Sequence, residues 1–199
     1  MYKVPATHCR TEETIKRSRF IASVAHAPTE DDARAFISAI KNEFPDATHN
    51  CWAYVAGPPG DTARVGMGDD GEVHGTAGKP MLSVLLHSGI GEIAVVVTRY
   101  YGGTKLGTGG LVRAYSGAVK SALAEVAVKE KRDVIRLTVT LDYSGATAVR
   151  RMIESFDAQI IEEDYAADVS LRIELPKDKR DSFIRAIRDS TRGEARITG

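Results

Sequence analysis

The sequence predicts an α+β protein of two domains. Three observations carry this. The last third of the chain runs strand, helix, strand, strand, helix, strand. A basic tract, Lys129-Glu130-Lys131-Arg132, stands just before that run begins. Upstream, two glycine-rich loops each follow a strand-like segment and lead into a helical one. A length of 199 residues suits one large domain or two small ones, each burying its own core.

Residues 14–26 mix β-branched and small apolar residues and predict an early strand or hairpin. Ala33, Phe36, Ile37, Ile40 and Phe44 then fall on one face of a helix over 29–44. Thr29 can cap that helix and Pro45 stops it. Residues 48–57 are strand-like and end in the turn Gly57-Pro58-Pro59-Gly60. A short strand over 62–67 leads to the first glycine loop, "DDGEVHGTAGKP" (69–80). Pro80 suits the first turn of a helix whose apolar stripe is Met81, Leu82, Leu85 and Leu86, with Gly89 placed to end it. Residues 92–100 form a continuous apolar run, the mark of a central strand buried on both faces. The second glycine loop follows, within "TRYYGGTKLGTGGLVRAY" (98–115), and then a helix over about 109–126. That helix should turn Leu111, Val112, Tyr115, Val119, Ala122 and Leu123 inward.

The remaining residues give a strand over 133–143, a helix marked by Ala146, Val149, Ile153 and Phe156, and a hairpin over 158–175. A helix over 177–190 and an edge strand at 194–199 complete a ferredoxin-like order. The expected domains are therefore 1–131 and 132–199, with the basic tract as the joint. Charge is split only weakly. Residues 1–132 hold 16 Lys+Arg against 14 Asp+Glu, and 133–199 hold 11 against 13. Neither part is a polycation, and with a formal net charge of zero any attraction to nucleic acid must come from a local patch.

The glycine loops supply that patch. A helix N-terminus offers unpaired amides and a partial positive charge, and glycine lets the backbone approach a ligand closely. Strand, glycine loop and helix thus make an anion site. The second loop contributes Arg99, Tyr101, Gly102, Gly103, Lys105, Gly107, Gly109, Gly110 and Arg113, and residues 98–120 contain no acid. Lys79 would add charge from the first loop, whose other candidates are Asp69, Asp70, Glu72, Gly75, Thr76 and Gly78. The plain alternative is that these glycines only permit tight turns, and that Arg99 pairs with Asp69 or Asp70 to hold the loops together. Neither loop fits a P-loop or a dinucleotide fingerprint, since Lys105 follows Gly103-Thr104 in the wrong order and position 112 is valine. Of the adjacent Tyr100 and Tyr101, one should be core and the other free to stack on a base.

Other constellations are weaker. His49 and Cys51 share a strand face, yet a cysteine beside Trp52 and Ala53 reads as core rather than nucleophile. Asp69, Asp70, Glu72 and His74 read as a solvated acidic turn in preference to a metal site. His8 and Cys9 lack zinc-ligand spacing, and His26 and His87 lack context. No cofactor and no metal are expected. Two cysteines make no disulfide framework, and no apolar run approaches the roughly 20 residues of a membrane span. A reduced, cytoplasmic protein without membrane contact is the expectation.

The two loops, with "SRFIA" (18–22) and "ATHNCWAY" (47–54), resemble the signature of the IMPACT/YigZ family over about residues 14–125. The tail is similar to the extra C-terminal domain of its bacterial members. One departure stands in the first loop, where the family's Glu-Pro-Ser-Gly reads Glu72-Val73-His74-Gly75. The resemblance implies an N-terminal α/β sandwich like a small-subunit ribosomal protein's second domain and elongation factor G domain IV. It implies a C-terminal domain like elongation factor G domain V. Eukaryotic relatives regulate translation by competing for an activator of a stress-responsive kinase. The expected function is a translation-associated regulator that binds RNA or a ribosomal surface, with a protein of the translation machinery as a further partner. The alternatives are an enzyme acting on a phosphorylated or anionic small molecule, with Asp70 or Glu72 as base or metal ligand, and a protein–protein adaptor.

Overall fold

A computed structural model describes residues 1–199. The chain divides into two compact units, Met1–Lys131 and Arg132–Gly199. The protein is mixed α/β in both.

The first unit is built on a five-stranded antiparallel sheet. Strands β2 (Cys9–Ile15) and β3 (Ser18–His26) form a hairpin, followed by helix α1 (Glu30–Glu43) and strands β4 (His49–Val55) and β5 (Val65–Gly68). Helix α2 (Gly78–Leu86), strand β6 (Ile93–Tyr100) and helix α3 (Thr108–Glu125) complete it. The order is β2-β3-β6-β4-β5, so the apolar run sits in the middle. Helices cover both faces, which explains why β6 is apolar without alternation. Val95 and Val97 pack with Met81, Leu85, Leu111 and Tyr115 of α2 and α3. Ala94 and Val96 pack with Ala33, Ile37 and Ile40 of α1. Thr29 and Asp32 close a capping box at the start of α1. Val112, expected to face inward, is 37% exposed, because α3 turns Leu111, Ala114 and Tyr115 of that stretch onto the sheet instead.

The basic tract is not a simple joint. Val128–Lys131 is a strand, β7, antiparallel to β1 (Tyr2–Pro5). Neither strand shows apolar alternation strong enough to read from sequence. A buried carboxylate fixes the pair instead. Glu92 accepts from Lys131 Nζ at 2.7 and 2.8 Å and from the Tyr2 hydroxyl at 2.7 Å, and His26 Nε2 lies 2.8 Å away. Burial opposes ionisation of Glu92, yet Lys131, Tyr2 and His26 hold its pKa below the usual glutamate range. His26 thus has a partner that local sequence did not reveal.

The second unit is ferredoxin-like. Strand β8 (Val134–Leu141), helix α4 (Tyr143–Met152), strands β9 (Gln159–Tyr165) and β10 (Val169–Pro176), helix α5 (Arg180–Ser190) and strand β11 (Arg196–Thr198) follow in order. The antiparallel sheet runs β11-β8-β10-β9. Its core joins Leu137, Val139, Leu171 and Ile173 to Val149, Phe183 and Ile187. Asp142 caps α4 by accepting from the Gly145 amide at 2.8 Å.

Candidate functional site

The first glycine loop leaves β5 and enters α2, and its acids are all engaged. Asp69 Oδ1 accepts from the amides of Gly78 at 2.8 Å and Ala77 at 3.2 Å, and Oδ2 from Gly75 at 2.7 Å. The carboxylate occupies the N-terminal amides of α2 as a bound anion would. Burial opposes its ionisation, but these amides lower its pKa. Asp70 sits in the left-handed region, φ +46°, and accepts from Lys41 Nζ at 2.5 Å and the Asn50 amide at 2.7 Å. Burial likewise opposes, and Lys41 and Asn50 prevail, leaving the pKa low. Glu72 Oε2 accepts from Arg99 at 2.5 Å and from the Tyr115 hydroxyl at 3.0 Å. The solvated acidic turn is therefore corrected: the three acids point to different partners within the fold.

Arg99 is corrected with them. It is 4% exposed, ion-paired to Glu72 rather than to Asp69 or Asp70, and its Nη2 reaches Ser18 Oγ at 3.4 Å. A buried, paired guanidinium is not a free phosphate contact. Its guanidinium also lies 5.5 Å from the ring centroids of both Phe20 and Tyr101. Tyr115 is fully buried, edge-on to Phe20 at 5.4 Å. Burial drives its pKa strongly upward, helped by Cys51 and Glu72. Burial also pushes the Cys51 thiol up to about 12, and its Sγ donates to the Asp69 carbonyl at 2.9 Å. A thiol so poor in thiolate is no nucleophile.

The second loop is different. Strand β6 ends at Tyr100, so neither adjacent tyrosine is core: the Tyr100 hydroxyl donates to Asp46 at 2.9 Å, and Tyr101 is 46% exposed. Gly102 packs against the β2–β3 turn, where any Cβ would collide with the Arg17 carbonyl. Gly107 caps α3 with φ +75° and offers no side chain. The first-turn amides of Thr108, Gly109 and Gly110 have no protein acceptor, since Leu111 is the first to bond back, to Gly107, at 2.9 Å. Lys105 is exposed, and the exposed Arg113 lies with its guanidinium beside Gly109. Lys16 and Arg17 are exposed in the abutting turn. None of these four cations makes an ion pair.

A cavity of about 500 Å³ opens between the loops. Tyr101, Leu106, Leu111 and Val73 supply apolar lining, and His49, Glu72 and Arg99 polar lining. Lys105, Gly107 and Thr108 also line it. Of the residues expected at the site, Arg99, Tyr101, Lys105, Gly107 and Glu72 converge here. Gly102 and Gly103 shape the loop beside it, and Gly109, Gly110 and Arg113 belong to the open helix start. Asp69, Gly75 and Gly78 serve the cap of α2 instead, Thr76 is buried, and Lys79 is exposed away from the cavity lining. Sequence reasoning passed over Thr48 and Leu106, counted Thr108 only as a hydroxyl donor beside the glycines, and weighed His49 only as a partner for Cys51. The signal for His49 was its place on the same strand face as Cys51.

Residues 16–123 match the Impact N-terminal domain, and residues 139–194 match a domain of unknown function, DUF1949. The chain belongs to the IMPACT family. It is 44% identical over 194 residues to IMPACT family member YigZ of Escherichia coli (strain K12), covering 98% of this chain and 95% of that one. It is 34% identical to IMPACT family member YvyE of Bacillus subtilis (strain 168), covering 94% and 85%. A crystal structure described only as that of an hypothetical protein is 43% identical, with a TM-score of 0.71, covering 100% of this chain and 96% of that one. A crystal structure from Thermus thermophilus shares the fold at a TM-score of 0.51 and 12% identity, over 28% of its own length. No helix of this IMPACT family member is long and apolar enough to cross a membrane.

Proposed function

We propose that this protein is a cytosolic, translation-associated regulator that binds the phosphate backbone of RNA, alone or on a ribosomal surface, through its second glycine loop. Family membership supports the translation setting. The observation that carries the RNA reading is the group of four unpaired cations, Lys16, Arg17, Lys105 and Arg113, at and around a helix start whose amides are open. Amides and cations together suit phosphate oxygens, which position a nucleic acid without reading its sequence. Arg99 serves this site by holding its floor through Glu72.

The test is sedimentation of the tagged protein with ribosomes, and binding to mixed-sequence RNA, across a salt series. Lys105→Gln and Arg113→Gln should each weaken binding to all sequences alike and flatten the salt dependence by roughly one unit of slope. Each should leave folding stability within about 0.5 kcal/mol. Unchanged affinity and slope in both variants would make the loop structural and favour the adaptor.

A further inference from the structure

Phosphate binding leaves His49 and Glu72 of the cavity lining unused. His49 Nδ1 lies 2.9 Å from the Asp70 carbonyl oxygen. A carbonyl only accepts, so Nδ1 carries the hydrogen, and in the neutral ring Nε2 is an acceptor. That nitrogen faces Glu72 Oε1 at 3.7 Å. Oε1 takes no hydrogen bond, because Arg99 and Tyr115 both use Oε2. In that neutral form two acceptors face one another, on side chains 17% and 6% exposed. Both residues line the cavity, and an N–H₂ group entering from it would satisfy both acceptors. Tyr101, Leu106 and Leu111 line the same cavity, as do Gly107 and Thr108 of the open helix start. The cavity thus combines facing acceptors, apolar side chains and a helix start open to phosphate.

We propose that the cavity holds a single unpaired nucleotide of an RNA chain whose base carries an exocyclic amine, such as adenine or cytosine. The amine would donate to His49 Nε2 and Glu72 Oε1, the base would lie against Tyr101, and its phosphate would meet the amides of Thr108 to Gly110 and Lys105. Uracil is disfavoured, since its exocyclic groups are carbonyl oxygens that would confront two further acceptors. A duplex is excluded from the pocket because pairing occupies the same amine. This rests on the RNA reading above and narrows it.

The experiment measures binding of the full chain to labelled oligoadenylate, oligocytidylate, oligouridylate and a blunt, fully paired hairpin, with free AMP as competitor. Oligoadenylate and oligocytidylate should bind about tenfold tighter than oligouridylate. His49→Asn keeps a donor towards Asp70 and removes the Nε2 acceptor, so it should erase that difference without changing the salt slope. Tyr101→Ala should weaken all single strands by about tenfold, and Tyr101→Phe should restore them. Melting temperatures of the variants check that each is folded. Equal affinity for all four RNAs, unmoved by His49→Asn and Tyr101→Ala while Lys105→Gln still flattens the salt slope, would overturn the pocket and keep the phosphate reading. Competition by AMP at the affinity of the oligomers would overturn the RNA chain as the ligand. No binding of any RNA by the unaltered protein would overturn both.

Discussion

Helices α2 and α3 begin in the same way, from a strand and a glycine loop, yet their N-termini are finished in opposite ways. The first residue after β5 is Asp69, and its carboxylate takes the amides of Gly75, Ala77 and Gly78. The first residue after β6 is Tyr101, and the amides at the start of α3 keep no protein partner. One helix carries its own anion and the other is open to someone else's. A glycine loop before a helix is thus a site only when no nearby carboxylate fills it. The two loops are joined by Arg99 and Glu72, so the closed one supports the open one.

Three changes test that contrast. The largest effect is expected from the buried pair that joins the loops. Arg99→Ala or Glu72→Ala leaves an uncompensated buried charge and should cost about 3–5 kcal/mol in urea unfolding. A loss below about 1 kcal/mol would show that the loops do not depend on one another. Asp69→Ala removes the cap of α2 and should cost about 1–2 kcal/mol at neutral pH. Because Asp69 has a lowered pKa in the folded protein, its contribution is present above the unfolded value near about 4. It disappears as pH falls through the folded value, so the penalty of Asp69→Ala should shrink in acid. An undiminished penalty at low pH would assign the effect to packing.

The smallest change in stability and the sharpest in binding is expected of Thr108→Asp. A carboxylate in the first turn of α3 imitates the arrangement of α2 and should alter folding by less than about 1 kcal/mol, in the favourable direction. It should abolish salt-sensitive RNA binding, because the amides would already be occupied and the rim would lose positive charge. Retained RNA affinity in a folded Thr108→Asp protein would place the phosphate contact elsewhere.

The sequence by itself determined the order of helices and strands apart from β1 and β7, the ferredoxin-like second unit and the central position of β6. Those properties rest on apolar periodicity and turn residues, which act over a few neighbours. It also pointed to the second glycine loop, because glycine content and the absence of acids are local properties of residues 98–120. Only the tertiary structure decided which charges are free. Arg99 and Lys105 look alike in the sequence, but Arg99 meets Glu72 across 27 positions while Lys105 meets no acid. The Glu92 network that fixes β1 and β7 likewise joins residues 39 and 90 positions apart. Ion pairing over such separations follows from which strands the core brings together, and the residues involved carry no local mark of it.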